Sequence, residues 1–133
     1  MTTRIQPDIE LAVIDFLRSY APLTATGAKV GSELPASPSW PFITVVRLGG
    51  PADFPGWLDH PRVQVDAWAD TKAQAYSAIA AARAGLLDLP GVHDNTVITA
   101  ADELTGPQWL PDPVANSRPR YFVVFSLTTH PVS

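Results

Sequence analysis

Between Arg62 and Ala69 the chain alternates without a break. Val63, Val65, Ala67 and Ala69 fall on one side, and Arg62, Gln64, Asp66 and Trp68 on the other. A period of two marks a β-strand in a sheet with one buried face and one polar face. The period then changes at once. Asp70 or Thr71 is placed to cap a helix. Ala75, Ile79, Ala82 and Leu86, with Tyr76, Ala80 and Leu87, form its apolar stripe up to about Leu89, where Pro90-Gly91 stops it. The alanines let this helix lie close to the sheet.

The other elements are read the same way. Ile9, Val13, Phe16 and Tyr20 recur at helical spacing, with Ala12 and Leu17 widening the stripe, so a first helix is predicted over Pro7 to Tyr20. Pro7 suits the first helical position, and Asp8 and Glu10 put negative charge at the positive end of the helix dipole. A proline- and glycine-rich stretch follows from Ala21 to Pro41, with a short extended piece around Ala28 to Leu34 able to pair with a sheet edge. Ile43 to Leu48 reads as a strand ended by Gly49-Gly50-Pro51. Val97 to Ala101 reads as a third strand, Leu104 to Leu110 as a fourth interrupted by Gly106-Pro107, and Tyr121 to Thr129 as a long central strand. This order predicts an α+β fold in a single domain, residues 1–133: a mainly antiparallel, four- to five-stranded sheet with two helices packed on one face.

At 133 residues without a cysteine, the chain must hold together by its core alone, with no disulfide, thiolate metal site or cysteine nucleophile. The absence of cysteine fits assembly in a reducing cytoplasm. The formal net charge is −4 and the nine Lys and Arg residues are scattered, which argues against a generic nucleic-acid binder. Charged residues make up 17%, below the roughly 25% of typical soluble proteins, which suits a subunit partly covered by partners. No apolar run approaches the ~20 residues of a membrane span, and Met1 to Asp8 lacks the pattern of a signal peptide. A soluble protein, intracellular when made, is expected.

No catalytic constellation is present in the sequence: no G-x-S-x-G, no G-x-x-x-x-G-K-[ST], no H-E-x-x-H. His60, His93 and His130 fall in turns or at the terminus. Asp59 and His60, with Asp66 or Asp70, could be drawn together as a metal site, but they read better as turn and cap residues. Asp94 beside His93 is equally weak. The expectation is a protein that is not an enzyme, with no cofactor and no metal. The segment G-G-P-A-D-F-P-G-W-L-D-H-P from Gly49 is more informative. Phe54, Trp57 and Leu58 are large apolar residues in a loop otherwise built for turns. They are either interface residues or a lid folded back on the core. Trp109 and Leu110, between Pro107 and Pro111, pose the same alternative. Trp68, on the polar face of its strand, must be covered by a neighbouring subunit or by a loop.

Three segments carry a resemblance: I-T-V-V-R-L-G-G-P from Ile43, V-Q-V-D-A-W-A-D-T-K-A-Q-A-Y-S-A-I-A-A-A-R-A-G-L-L from Val63, and R-Y-F-V-V-F-S-L-T-T-H-P from Arg120. With the leading helix, the chain resembles the tail terminator family of long-tailed bacteriophages, the tail completion or tail-to-head joining proteins, over most of its length. The resemblance implies a structural virion protein of the phage neck or tail. It would form a homo-oligomeric ring, a hexamer, that caps the head-proximal end of the tail tube. Its partners would be the major tail tube protein and the head–tail connector, and DNA would pass through the lumen without specific binding. The alternatives are another neck component, such as a head completion or stopper protein, and a small monomeric module with a ligand pocket under the aromatic loop.

Overall fold

The computed structural model describes residues 5–53, 56–112 and 118–132. Helix α1 (Ile9–Arg18) begins where the Asp8 carboxylate accepts the N–H groups of Glu10 and Leu11. A four-residue helix α2 (Ala21–Thr24) follows with Pro22 in its first turn. Strands β1 (Lys29–Gly31), β2 (Phe42–Arg47) and β3 (Arg62–Trp68) come next. Helix α3 (Lys72–Leu87) is capped by Thr71, whose hydroxyl accepts the Gln74 N–H. Strands β4 (Gly91–His93), β5 (Thr96–Trp109) and β6 (Arg120–Pro131) complete the chain.

The strands form one six-stranded sheet in the order β1-β2-β3-β6-β5-β4. All pairings are antiparallel except β1 with β2. The α+β class expected from the sequence holds, but the sheet is mixed rather than purely antiparallel. It has six strands rather than four or five, and there are three helices rather than two. The parallel pair arises because residues 32–41 carry the chain back before β2 begins, and parallel neighbours need such a return. The two segments read as third and fourth strands are one strand, β5. Its pairing with β6 shifts between Ile98 and Ala100, between Glu103 and Thr105, and again before Gln108, so bulges absorb the Gly106-Pro107 interruption.

The register puts Ile43, Val45, Val63, Val65, Ala67, Val123, Phe125 and Leu127 on one face, all fully buried under α1 and α3 with Ile79 and Leu86. Each such large side chain contributes about 1.5–3 kcal/mol by leaving water. The expected register of β3 is therefore correct. Gly85 lets α3 approach α1: a Cβ there would lie 2.9 Å from a Leu17 methyl and 3.0 Å from the Tyr20 ring. The sheet curls around the helices, so α1, seated on β1 and β2, also reaches β4 at the opposite edge. The Phe16 ring meets the edge of His93 at 5.4 Å.

The free edge at β1 is closed by a side chain. Lys29 turns its backbone groups toward β2, so Val30 turns its own outward. The Arg18 guanidinium donates to the Val30 carbonyl through Nε at 3.0 Å and Nη2 at 2.8 Å. An edge carbonyl so occupied is no template for another strand.

Candidate functional site

The described residues of the loop between β2 and β3 extend the sheet. At its base the Leu48 N–H donates to the Arg62 carbonyl and the Arg62 N–H to the Gly49 carbonyl, so two residues face one. Gly50 has a φ of +103°, and a Cβ there would collide with the His60 carbonyl, so only glycine fits. The returning limb joins β6 beyond the end of β3, where Asp59 and Thr129 exchange backbone hydrogen bonds at 2.8 and 2.9 Å.

Arg47 holds this loop from the last position of β2. Its Nη1 and Nη2 reach the two Asp59 carboxylate oxygens at 2.8 and 2.9 Å, while Nε and Nη2 also donate to the Gly49 and Gly50 carbonyls. Asp59 is buried. Trp57 stacks on His130 at the end of β6, and the Gly56 and Trp57 carbonyls accept the Gln6 amide at 2.7 and 3.2 Å. Trp57 and Leu58 are half-buried. Phe54, the third apolar residue expected here, lies outside the described residues.

The other candidates lie at the far end of β6. Trp68, on the polar face of β3 and expected to need cover from a neighbouring subunit or a loop, is buried within the sheet. It is 9% exposed, with its indole N–H donating to the Thr44 hydroxyl at 3.1 Å and the Arg120 guanidinium 4.7 Å from the ring centre. Cross-strand neighbours from β2 and β6 cover it within its own chain. Trp109 is not in a turn. It ends β5 on the helix side, 5.2 Å from the Tyr121 ring and under the Lys72 ammonium at 4.6 Å; Tyr76 meets the other side of Tyr121. Leu110 is exposed. The candidate residues therefore form two groups. One is near His130 and one near Arg120 and Tyr121, about 30 Å apart at ~3.4 Å per strand residue.

The polar residues once drawn together as a metal site have separate partners. Asp59 is held by Arg47, His60 by Asp53 at 3.0 Å, Asp66 by Gln64 and Arg120, and Asp70 by Arg118. Among the described residues, no three His, Asp or Glu side chains are grouped to hold a metal ion. Burial pushes the Asp66 carboxyl above the ordinary aspartate value; the Gln64 hydrogen bond and the Arg120 charge oppose the rise. Two of the clefts among the described residues lie beside α1. One, of about 700 Å³, lies beside β1 against Lys29, Glu33 and Phe42. The other, of about 230 Å³, lies between α1 and the β4–β5 turn.

Sequence reasoning passed over Arg47 and Arg120 and read Asp59 as a turn residue, whereas the three organise both groups. Their partners are distant in the chain, and no local period marks them. It also passed over Val46, Leu48, Leu11 and Val92, which are apolar and 38%, 49%, 55% and 70% exposed.

Residues 5–131 match the sequence profile of the family described as phage tail termination protein. The chain belongs to that family. Membership places this tail termination protein in the phage virion, at the tail. No curated protein matches it in sequence. Its fold is similar to a chain of the virion of a native gene transfer agent (GTA) particle, with a TM-score of 0.75 at 20% identity, covering 92% of this chain and 94% of that one. The tail termination family thus accounts for nearly every described element, from the segment before α1 to the end of β6.

Proposed function

We propose that this protein closes into a ring, a hexamer by family resemblance, that caps the head-proximal end of the phage tail tube and joins it to the head connector. The family match over residues 5–131 carries this reading. Geometry supports it. A compact chain of 133 residues has a radius of gyration of about 14 Å and cannot encircle duplex DNA alone, so a conduit needs several copies. The two groups of large apolar residues, Trp57 and Leu58 at one end of β6 and Trp109 and Leu110 at the other, suit a subunit with a contact to make at each end. A formal net charge of −4 favours passage of DNA over grip on its phosphates.

The proposed role is structural and needs no chemistry. In support, Asp59, His60, Asp66 and Asp70 each have a separate side-chain partner rather than being aimed at a shared point. Native mass spectrometry of the purified protein, alone and mixed with the tail tube subunit of the same phage, tests the function. A closed ring that binds tube ends and blocks further tube growth is expected. A monomer that ignores tube ends would refute it.

A further inference from the structure

The proposed ring, on which this inference rests, requires two different patches, one on each side of every subunit. At the β1 edge strand addition is a poor means of joining copies, because Arg18 occupies the outward carbonyl of Val30. Copies can instead meet through side-chain faces, and two faces carry complementary chemistry.

The first is the sheet face turned away from the helices. Val46 and Leu48 are 38% and 49% exposed there, beside the exposed Arg62 on the neighbouring strand. The Arg62 guanidinium has no ion-pair partner in the described chain. Asp102, the nearest carboxylate across that face, lies two strands away, about 10 Å. The second face is the cleft between α1 and the β4–β5 turn. Leu11, 55% exposed, stands there with Asp15 and Asp94, both exposed and neither in an ion pair among the described residues. Each patch thus joins exposed apolar surface to charge unanswered within its own chain, and the charges are opposite. The patches lie on different sides of the subunit, one on the open sheet face and one along α1.

We propose that Val46, Leu48 and Arg62 of one copy seat against Leu11, Asp15 and Asp94 of the next copy, and that this contact, repeated head to tail, closes the ring. Opposite charges flanking apolar contacts set the register and disfavour face-to-face pairing of like patches.

Charge exchange tests it. Arg62→Asp and Asp15→Arg each raise the concentration at which the ring dissociates by about tenfold or more, read by native mass spectrometry with melting temperature as the check on folding. The chain carrying both substitutions regains the ring. A mixture of the two single variants also regains it, because each then presents a patch the other fits. Wild-type rings with unaffected single variants would overturn this contact and leave the proposed function standing, as would loss of the ring without recovery in the double variant. A wild-type protein that stays monomeric would overturn both.

Discussion

The indole of Trp57 lies nearly flat on the imidazole of His130, with ring centres 4.8 Å apart and planes 22° from parallel. The contact pins the β2–β3 loop to the last residues of β6. Stacked aromatic pairs add about 0.5–1.5 kcal/mol beyond their buried area. Trp57→Ala should therefore lower the melting temperature by about 4 °C. If Trp57 also faces a partner, the ring or its grip on the tube weakens in the same variant. A lower melting temperature with assembly unchanged would leave Trp57 as a loop anchor only.

Val65 has no exposed surface and sits between Val45 and Val123 on the helix-covered face. Val65→Asp puts an unpaired carboxylate there, at a cost of several kcal/mol even after the group takes up a proton. The variant should lack a cooperative thermal transition. Gln64→Asp, one residue along and half-buried on the other face, should keep one.

Removing Arg47 leaves the buried Asp59 carboxylate without its counter-ion and frees the Gly49 and Gly50 carbonyls. Loss of one partner from a buried pair costs about 3–5 kcal/mol, and the partial exposure of Arg47 places this case at the lower end. Arg47→Ala should lose about 3 kcal/mol in urea unfolding. Arg47→Met combined with Asp59→Leu should lose less than Arg47→Ala alone, since no charge is stranded.

Asp66 gives a pH signature. Its folded carboxyl titrates above the ordinary aspartate value because burial disfavours the anion. Between that ordinary value and the raised one the folded state binds more protons than the unfolded state, so the contribution of Asp66 to stability grows as pH falls through this window. Asp66→Asn removes the effect. The stability of the variant relative to the wild type, measured by urea unfolding, should be highest near neutral pH and decline as the pH drops toward 4. A difference independent of pH would contradict the assignment.

The parts legible in the sequence were those whose cause is local. The alternation from Arg62 to Ala69 and the alanine-rich stripe of α3 each contain their own period; β3 formed in the expected register, and α3 buries Ala75, Ile79, Ala82 and Leu86 but leaves Tyr76 and Leu87, expected on the same stripe, exposed. β4 was missed because the three residues Gly91–His93 carry no period and begin in the Pro90-Gly91 stop signal. β5 was split because Gly106-Pro107 reads as a break, whereas bulges against β6 carry the strand through it. The site was less legible for the same reason. Trp68 stands among Arg62, Gln64 and Asp66, so its face reads as polar. What buries it are Thr44 and Arg120, 24 and 52 positions away, which become neighbours only when β2 and β6 flank β3. Trp109 likewise reads as part of a proline-bounded turn until Lys72 and Tyr121 close over it.

Arg18 has a consequence beyond its two hydrogen bonds. In the vocabulary of polymer chemistry, it makes the β1 edge of the subunit an inert end group: the atom that would propagate a sheet into the next molecule has already reacted, so to speak, with the molecule's own side chain. The opposite margin starts with β4, three residues long, and continues along β5. At its β1 end a subunit built this way is closed to growth through the backbone, and a neighbour meeting it there would have to fit a face of fixed shape and charge.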